Sequence, residues 1–345
     1  MTEAPPEPVS RGQMLGNVLK TAVPVALAVL AWCTVRPRPP TMLCYQDYDG
    51  ADVQICRHQC SHGYFSLPWM SECQPWLQCS DIESEDFEIG SVLGNGAVKL
   101  VRLAQWKGYS VVYNSPLDTA FIDDFRHGQN MLTGLQPSVH VTQVLGQCKD
   151  SFMTEYHRLG TAANIHQVLS KKTFKSYDTL KTRFGLCLHY SAVLAFLHNS
   201  PLGTRVMCDS NDLQKTLDQF LLTPDLSIIV NDLDALPLVN HTSGVGVKCG
   251  HRQLYGEFVA PEQLWPYDDR DFNDTEMPLY DEKTDVWKIP DVCNFFIGDV
   301  SGSDVLRLHL FKIHAECKRL KATDRPTSHA VFEQYRDVAL HLELL

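Results

Sequence analysis

The chain contains Ile228-Ile-Val-Asn-Asp-Leu-Asp234, an apolar run that ends in carboxylates. A short β-branched run of this kind predicts a buried strand, with its two aspartates just beyond the strand end. A second stretch, Arg205-Val-Met-Cys-Asp-Ser-Asn-Asp212, precedes it and also carries acidic side chains. Carboxylates can accept protons and bind divalent cations. These two stretches decide the fold prediction, because they form the centre of a longer series of motifs.

The series has six members, and their order and spacing are typical of protein kinases. The other four are Leu93-Gly-Asn-Gly-Ala-Val-Lys99, Ala260-Pro-Glu262, Asp285-Val-Trp287 and Arg325-Pro-Thr327. Glu262 with Arg325, and separately Asp285, match scaffold positions that brace the helical part of that fold. We therefore predict an α+β, bilobal protein-kinase-like fold with a small β-rich N-lobe and a larger helical C-lobe.

The periodicity of apolar residues agrees with this order. Alternation predicts strands, and a spacing of three and four residues predicts helices. The predicted strands cover 87–93, 97–104, 109–113, 139–146 and 152–156, and the predicted helices cover 121–135, 177–198, 280–296 and 303–320. The chain shows no internal repeat.

Length and charge limit the classes of function. The 345 residues are enough for one large or two ordinary domains. The net charge is −11, from 30 basic and 41 acidic residues. A nucleic-acid-binding surface needs a basic face, so we expect no nucleic acid as a partner.

The N-terminal region predicts a membrane attachment. Residues 1–14 are polar and suit a cytoplasmic tail, 15–35 suit a transmembrane signal anchor, and 36–43 suit a proline-rich stalk. A cleaved signal peptide or a buried core helix are alternative interpretations of the apolar segment. Basic residues on both of its sides leave the orientation ambiguous.

Cysteines are concentrated directly after the stalk. The first five are Cys44, Cys56, Cys60, Cys73 and Cys79. They indicate a cysteine-rich lumenal cap at 44–80, ahead of a kinase-like domain at 81–345. Disulfides suit this density better than zinc, the alternative, because a membrane segment precedes them. Five is an odd number, so at least one of these cysteines pairs elsewhere or stays free.

Two glycosylation sequons and a further pair of cysteines are also relevant to a lumenal location. Asn240 and Asn273 begin glycosylation sequons, which are consistent with a lumenal domain. Cys208 and Cys249 flank the predicted active-site loops and are candidates to bridge, although other pairings remain open.

The glycine turn and the strand after it concern the phosphates of ATP. Gly94 and Gly96 would let backbone amides approach phosphates closely. In the next strand Asn114 stands where most protein kinases carry an ATP-anchoring lysine. A triphosphate still needs a cation, and Lys99 can supply it from the neighbouring strand. The with-no-lysine kinases resemble this arrangement. Asp124, on the following helix, is the predicted carboxylate partner of Lys99, and an exposed helix-terminal role is the alternative.

The catalytic loop supplies the remaining candidates. Asp209 takes the position of the base that receives the acceptor hydroxyl's proton. Asp232 is a predicted Mg²⁺ ligand, and Gln219 stands in the place of the second one if the loop carries an insertion. Asp234 either adds a ligand for a second metal ion or only alters the loop. The inserted stretch holds further candidates for base, metal and phosphate contacts, which are Asn211, Asp212 and Lys215.

Several longer stretches resemble one family. They are Cys73-Gln-Pro-Trp-Leu-Gln-Cys79, Gly94-Asn-Gly-Ala-Val-Lys99, Gly203-Thr-Arg-Val-Met-Cys-Asp-Ser-Asn-Asp-Leu213, Asn231-Asp-Leu-Asp-Ala-Leu-Pro-Leu-Val-Asn240, Phe258-Val-Ala-Pro-Glu-Gln-Leu-Trp-Pro266 and Tyr280-Asp-Glu-Lys283. In these stretches the chain resembles the protein O-mannose kinases, kinase-like glycan kinases of the secretory pathway. The likeness runs from about residue 56 to the end.

This resemblance implies an ATP- and Mg²⁺-dependent enzyme in the endoplasmic reticulum membrane, a single-pass type II protein with a lumenal catalytic domain. It implies phosphorylation of the 6-hydroxyl of O-linked mannose in a trisaccharide on α-dystroglycan. Two alternatives stay open: a lumenal pseudokinase scaffold, because the usual lysine is missing, and a secretory-pathway Ser/Thr protein kinase. Acceptor contacts expected by position are His251, Arg252, Phe258 and Trp265, although core packing beside Ala260-Pro-Glu262 is the favoured interpretation of the last two.

Overall fold

The computed structural model describes residues 42–48 and 53–345. The predicted tail, the predicted anchor and most of the stalk therefore lie outside the described residues. The last stalk residues, Met42 and Leu43, begin the first strand. Within 42–48 and 53–345, no helix combines the length and the apolar character needed to cross a membrane.

The cysteine-rich segment is built from short elements closed by disulfides. Its elements are β1 (Met42–Asp47), β2 (Val53–His58), β3 (Tyr64–Phe65), β4 (Gln74–Pro75) and α1 (Cys79–Ile82). Disulfides join Cys44 to Cys56 and Cys60 to Cys73, and Cys79 reaches forward to Cys148. The prediction of disulfides rather than zinc is confirmed, and the fifth cysteine pairs outside the segment.

A five-stranded antiparallel sheet forms the small lobe. It consists of β5 (Phe87–Asn95), β6 (Lys99–Trp106), β7 (Tyr109–Pro116), β8 (Val144–Gln147) and β9 (Phe152–Glu155), in the order β5-β6-β7-β9-β8, with α2 (Ile122–Gly134) between β7 and β8. The predicted strand at 139–146 begins later than expected. The reason is that Val141 forms an isolated parallel bridge with Val230 of the large lobe before the sheet resumes at Val144.

The cysteine-rich segment shares a core with this sheet. Phe65, Leu67 and Leu77 pack in one buried cluster with sheet residues that include Trp106. The backbone of Leu77 forms a parallel bridge with Gly146, where an added Cβ would lie 2.4 Å from the Leu77 carbonyl oxygen. Only glycine permits this approach, so the segment is seated firmly against the sheet.

The large lobe is mainly helical. Its elements are α3 (Ile165–Ser170), α4 (Leu180–His198), β10 (Thr204–Arg205), α5 (Leu213–Asp218), β11 (Phe220–Leu222), β12 (Ile228–Val230), β13 (Leu238–Val239), α6 (Lys283–Ile297), α7 (Ser303–Cys317) and α8 (Ser328–His341). The apolar α4 packs against α6 and α8, and a buried disulfide between Cys187 and Cys293 joins α4 to α6. The predicted α+β, kinase-like architecture is confirmed.

The pair formed by Glu262 and Arg325 ties the loop before α6 to the helical lobe. Two guanidinium nitrogens of Arg325 donate to the Glu262 carboxylate at 2.6 and 2.7 Å. The Arg325 side chain is fully buried, a setting in which a bidentate ion pair is strong. This is the contact that the order of motifs predicts.

Candidate active site

The β11–β12 hairpin brings two candidate metal ligands side by side. Gln219 precedes β11, and Asp232 follows β12. The backbone amides of Asn231 and Asp232 donate to the Gln219 carbonyl oxygen at 2.9 and 3.3 Å. The predicted insertion before Gln219 is helix α5 (Leu213–Asp218). The structure thus places Gln219 next to Asp232, although its role as a metal ligand stays a prediction.

Lys99 lies in the cleft that the sequence assigns to it. It is the first residue of β6, it is 9% exposed, and its Nζ lies 2.6 Å from Asp232 Oδ1. Asn114 lies on the same face of the sheet as Lys99. Val101 is two residues after Lys99 on β6 and so shares its face, and Asn114 is the cross-strand partner of Val101. The Asn114 amide is buried and donates to the Phe152 carbonyl oxygen at 3.4 Å. Asn114 therefore forms a hydrogen bond within the sheet, and Lys99 is the cationic side chain beside Asp232.

The glycine turn leaves open space above its backbone. Gly94 lies in β5, and the Gly96 amide donates to the Lys99 carbonyl oxygen at 3.1 Å. A Cβ built on either glycine would meet no atom within 4 Å. Packing within the protein therefore explains neither glycine, and the space is suited to a ligand that approaches the backbone.

Helix α2 does not bring Asp124 to Lys99. Asp124 is exposed in the first turn of α2, whereas Lys99 is paired with Asp232. One turn further on, a Cβ on Gly128 would lie 3.1 Å from the Cα and Cβ of Asp234. Asp234 therefore packs against the face of α2 that is nearest the site. Asp124 lies outside the cleft, and its pairing with Lys99 stays a prediction.

Asp209 is half-exposed and forms an ion pair with Lys215 of the inserted helix. Asp212, a rival candidate for the base, instead caps this helix, because its Oδ1 accepts from the Lys215 amide at 2.7 Å. The insertion therefore carries a lysine to the side chain of the predicted base. The sequence indicated Lys215 as a possible phosphate contact but not this pairing.

Three carboxylates, those of Asp209, Asp232 and Asp234, lie close enough to influence one another electrostatically. Burial, together with the charge of Asp232 and then of Asp209, raises the pKa of Asp234 to about 7 against the opposing effect of Lys99. Such mutual repulsion is relieved by a bound cation, and carboxylate oxygens are the ligands that Mg²⁺ prefers. The chemistry of these carboxylates suits a divalent metal ion, although their oxygens do not all lie within 4.8 Å of one another in the part of the chain that the structure describes.

Two amide oxygens are further candidate metal ligands. Gln219 donates through Nε2 to the Lys215 carbonyl oxygen at 3.1 Å, which keeps its amide oxygen available as a ligand. Asn211 Oδ1 is buried and has no hydrogen-bond partner among the described residues. A buried acceptor without a donor is costly unless a ligand satisfies it, so Asn211 remains a rival to Gln219.

The segment after Asp234 is tied to the catalytic loop by a disulfide between Cys208 and Cys249. This is one of the bridges that the sequence left open. Of the expected acceptor contacts, His251 is exposed and lies 2.9 Å from Asp274. Phe258 packs against the main core, and Trp265 makes edge-to-face contacts with Tyr267 and Phe272, so packing accounts for both aromatic rings.

Helix α6 contacts the backbone of the catalytic loop through Asp285. Asp285 Oδ2 accepts from the Met207 amide at 3.0 Å and lies 3.1 Å from His198 Nε2. This confirms the bracing role expected for Asp285. One neighbour was missed: Lys288, three residues later on α6, is 1% exposed. A lysine among the apolar residues of a core helix is the signal that could have identified it.

A paired lysine and aspartate, a partly exposed candidate base and an open glycine turn lie on this two-lobed fold, and together they define a phosphotransferase of the protein-kinase class. Curated relatives narrow the class. The chain is 49% identical over 282 residues to a protein O-mannose kinase of Homo sapiens, and the alignment covers 81% of this chain and 80% of the relative. The chain belongs to the protein O-mannose kinase family.

Two further relatives carry the same name. The Gallus gallus protein is 51% identical over 282 residues, with 81% of this chain and 79% of the relative covered. The Macaca fascicularis protein is 49% identical over 285 residues, with 82% and 81% covered. No protein-family model matches the chain.

Proposed function

We propose that this protein transfers the γ-phosphate of ATP to the 6-hydroxyl of an O-linked mannose, within a trisaccharide on α-dystroglycan. The observation that carries the proposal is the 2.6 Å contact between Lys99 Nζ and Asp232 Oδ1, in a cleft that also holds Asp209. The acceptor rests on the name of the relatives, protein O-mannose kinase, and on the resemblance of the long motifs.

The donor side of the site uses Lys99 and the glycine turn. Lys99 would hold the phosphates, and the amides near Gly94 and Gly96 would approach them closely. Asp232 and Gln219 would bind Mg²⁺, with Asp234 and Asn211 near enough to the same cleft to be rivals. When bound, Mg²⁺ supplies neutralising charge to the phosphates.

The acceptor side uses Asp209. Its carboxylate would receive the proton of the mannose hydroxyl as the oxygen attacks phosphorus. Lys215 forms an ion pair with this carboxylate and would orient it. Both side chains are about one-third exposed, which leaves room for a sugar to reach them.

We also propose the lumen of the endoplasmic reticulum as the site of action, with residues 15–35 as a type II anchor. Five disulfides among residues 42–48 and 53–345 support an oxidising compartment. The sequons at Asn240 and Asn273 are both exposed, which is compatible with this location.

Two other functions share parts of this evidence. The asparagine at position 114 favours a pseudokinase scaffold, but the Lys99–Asp232 contact supplies the charge that Asn114 lacks. A Ser/Thr protein kinase would use the same donor site with a peptide acceptor.

The test is phosphate transfer from labelled ATP in Mg²⁺ to three acceptors. They are an O-mannosyl trisaccharide peptide, the same glycopeptide with 6-deoxymannose, and the unglycosylated peptide. We expect label in the first alone. Label in the 6-deoxy acceptor would overturn the 6-hydroxyl assignment, label in the bare peptide would favour a protein kinase, and no ATP binding would favour the scaffold.

A further inference from the structure

A chain of buried polar side chains lies beneath the catalytic loop, outside the groups assigned above. Lys288 on α6 donates from Nζ to Ser210 Oγ at 2.6 Å, and each residue is 1% exposed. The Ser210 hydroxyl donates in turn to the Met207 carbonyl oxygen. Lys288 is therefore linked to the loop backbone through one hydroxyl.

The two ends of this link flank the predicted base. Met207 lies two residues before Asp209, and Ser210 follows it directly. The Met207 amide is held by Asp285 at 3.0 Å, and the Cys208 amide donates to the Ala235 carbonyl oxygen at 3.0 Å. Asp209 thus projects from a backbone that is fixed on both sides, while its carboxylate, paired with Lys215, stays about one-third exposed and within reach of an acceptor.

A buried lysine is an expensive way to fill this space. Burial lowers the pKa of Lys288, and Asp285, whose Oδ1 lies 3.9 Å from Nζ, opposes the shift only in part. An apolar pair of similar volume is often no less stable than a buried polar one. A hydrogen bond differs from an apolar contact in having a direction, so it selects the Ser210 rotamer and the orientation of the Met207 carbonyl. Orientation is the property that a catalytic base requires.

We propose that Lys288 is a positioning residue for phosphoryl transfer, which acts through Ser210 to aim Asp209. The proposal rests on the proposed function, since it takes Asp209 as the base. Lys288 touches neither substrate and has no direct part in the proton transfer.

The decisive variant replaces the link with apolar atoms, Lys288→Met together with Ser210→Val. We expect a melting temperature within a few degrees of wild type, a KM for ATP within about twofold, and a kcat lower by about tenfold or more. Ser191→Ala is the matched control, because Ser191 is a buried serine whose hydroxyl bonds within α4, to the Leu188 carbonyl oxygen at 2.9 Å. It should leave kcat unchanged.

A kcat within about twofold of wild type in the folded double variant would overturn the proposal. If the double variant does not fold, Ser210→Ala decides in the same way, since it removes the link and adds no volume. An additive loss in Lys288→Met, Ser210→Ala and their combination would also contradict action through Ser210.

Amide hydrogen exchange separates this proposal from the proposed function. Ser210→Ala should speed exchange in a peptide spanning residues 206–212 relative to wild type, whereas Ser191→Ala should not. This readout needs no acceptor. If wild type transfers no phosphate to the glycopeptide, the proposed function fails, and the exchange comparison alone upholds or rejects the support of the loop by Lys288.

Discussion

At position 114, strand β7 (Tyr109–Pro116) carries an amide where most protein kinases carry a lysine. The compensation is local in space, because Lys99 and Asn114 lie on the same face of adjacent strands. Lys99 reaches Asp232 at 2.6 Å, so positive charge is restored from a different strand. The missing lysine is therefore poor evidence for loss of activity.

Asp234 should make the stability of the metal-free protein depend on pH. Its pKa is about 7 in the folded protein and near 3.8 in the unfolded chain, so the folded state disfavours the ionised carboxylate. The free energy of unfolding should fall as pH rises through this interval and level off above it. Asp234→Asn should lack the fall, and should be more stable than wild type at pH 8 but not at pH 4.

Urea unfolding at several pH values, without divalent cations, measures this difference. Asp268→Asn is the control, because Asp268 is an exposed carboxylate. Added Mg²⁺ should reduce the difference in unfolding free energy between the two proteins at pH 8. Parallel profiles of unfolding free energy against pH for wild type and Asp234→Asn would contradict the raised pKa of Asp234.

Among the elements, the glycine turn between β5 and β6 allows a direct test of phosphate approach. Neither Gly94 nor Gly96 has a neighbour within 4 Å of a built Cβ. Alanine should therefore leave the melting temperature within a few degrees of wild type. It should raise the KM for ATP by about tenfold, or about 1.4 kcal/mol, if the backbone meets phosphate there. An unchanged KM in both Gly94→Ala and Gly96→Ala would place the phosphates elsewhere.

Strand β2 of the cysteine-rich segment supports the end of β9 through Arg57 and Glu155, which form an ion pair. Burial alone would raise the pKa of Glu155, but Arg57 and His157 hold it well below its usual range. Arg57→Met should cost about 3–5 kcal/mol, because it leaves a buried carboxylate unpaired.

Glu155→Gln in the Arg57→Met background should recover much of this loss, since it removes the uncompensated charge. Denaturant titration of Arg57→Met, Glu155→Gln and the double variant, beside wild type, forms the cycle. Equal stability of Arg57→Met and wild type would show that the ion pair does not stabilise the packing of the cysteine-rich segment against the sheet.

At the scale of the whole molecule, sequence patterns predicted the structural features that depend on residues close together in the chain. The strand and helix periods, the buried strand that begins at Ile228 and the aspartates that follow it are local features, and each was found within a few residues of its expected place. The position of Lys99 was also predictable, because it follows from strand pairing across one turn.

Contacts between distant segments were not predictable in the same way. The pairing of Lys215 with Asp209 depends on how an inserted helix lies, and motif spacing does not encode this. The pair of Arg57 and Glu155 is separated by 98 residues. The position of Asp124 outside the cleft was not predictable either, because the approach of Asp234 to Gly128 of the same helix is a feature of tertiary packing.

The central claim is that this rearranged site catalyses phosphoryl transfer, with Asp209 as its base. The most direct measurement compares wild type and Asp209→Asn in the rate of transfer from ATP to the O-mannosyl trisaccharide peptide, beside ATP binding in Mg²⁺. We predict ATP binding by both proteins and a rate lower by about 10²–10⁴-fold in the variant. Equal rates in the two proteins, or no transfer by a wild-type protein that binds ATP, would contradict the claim.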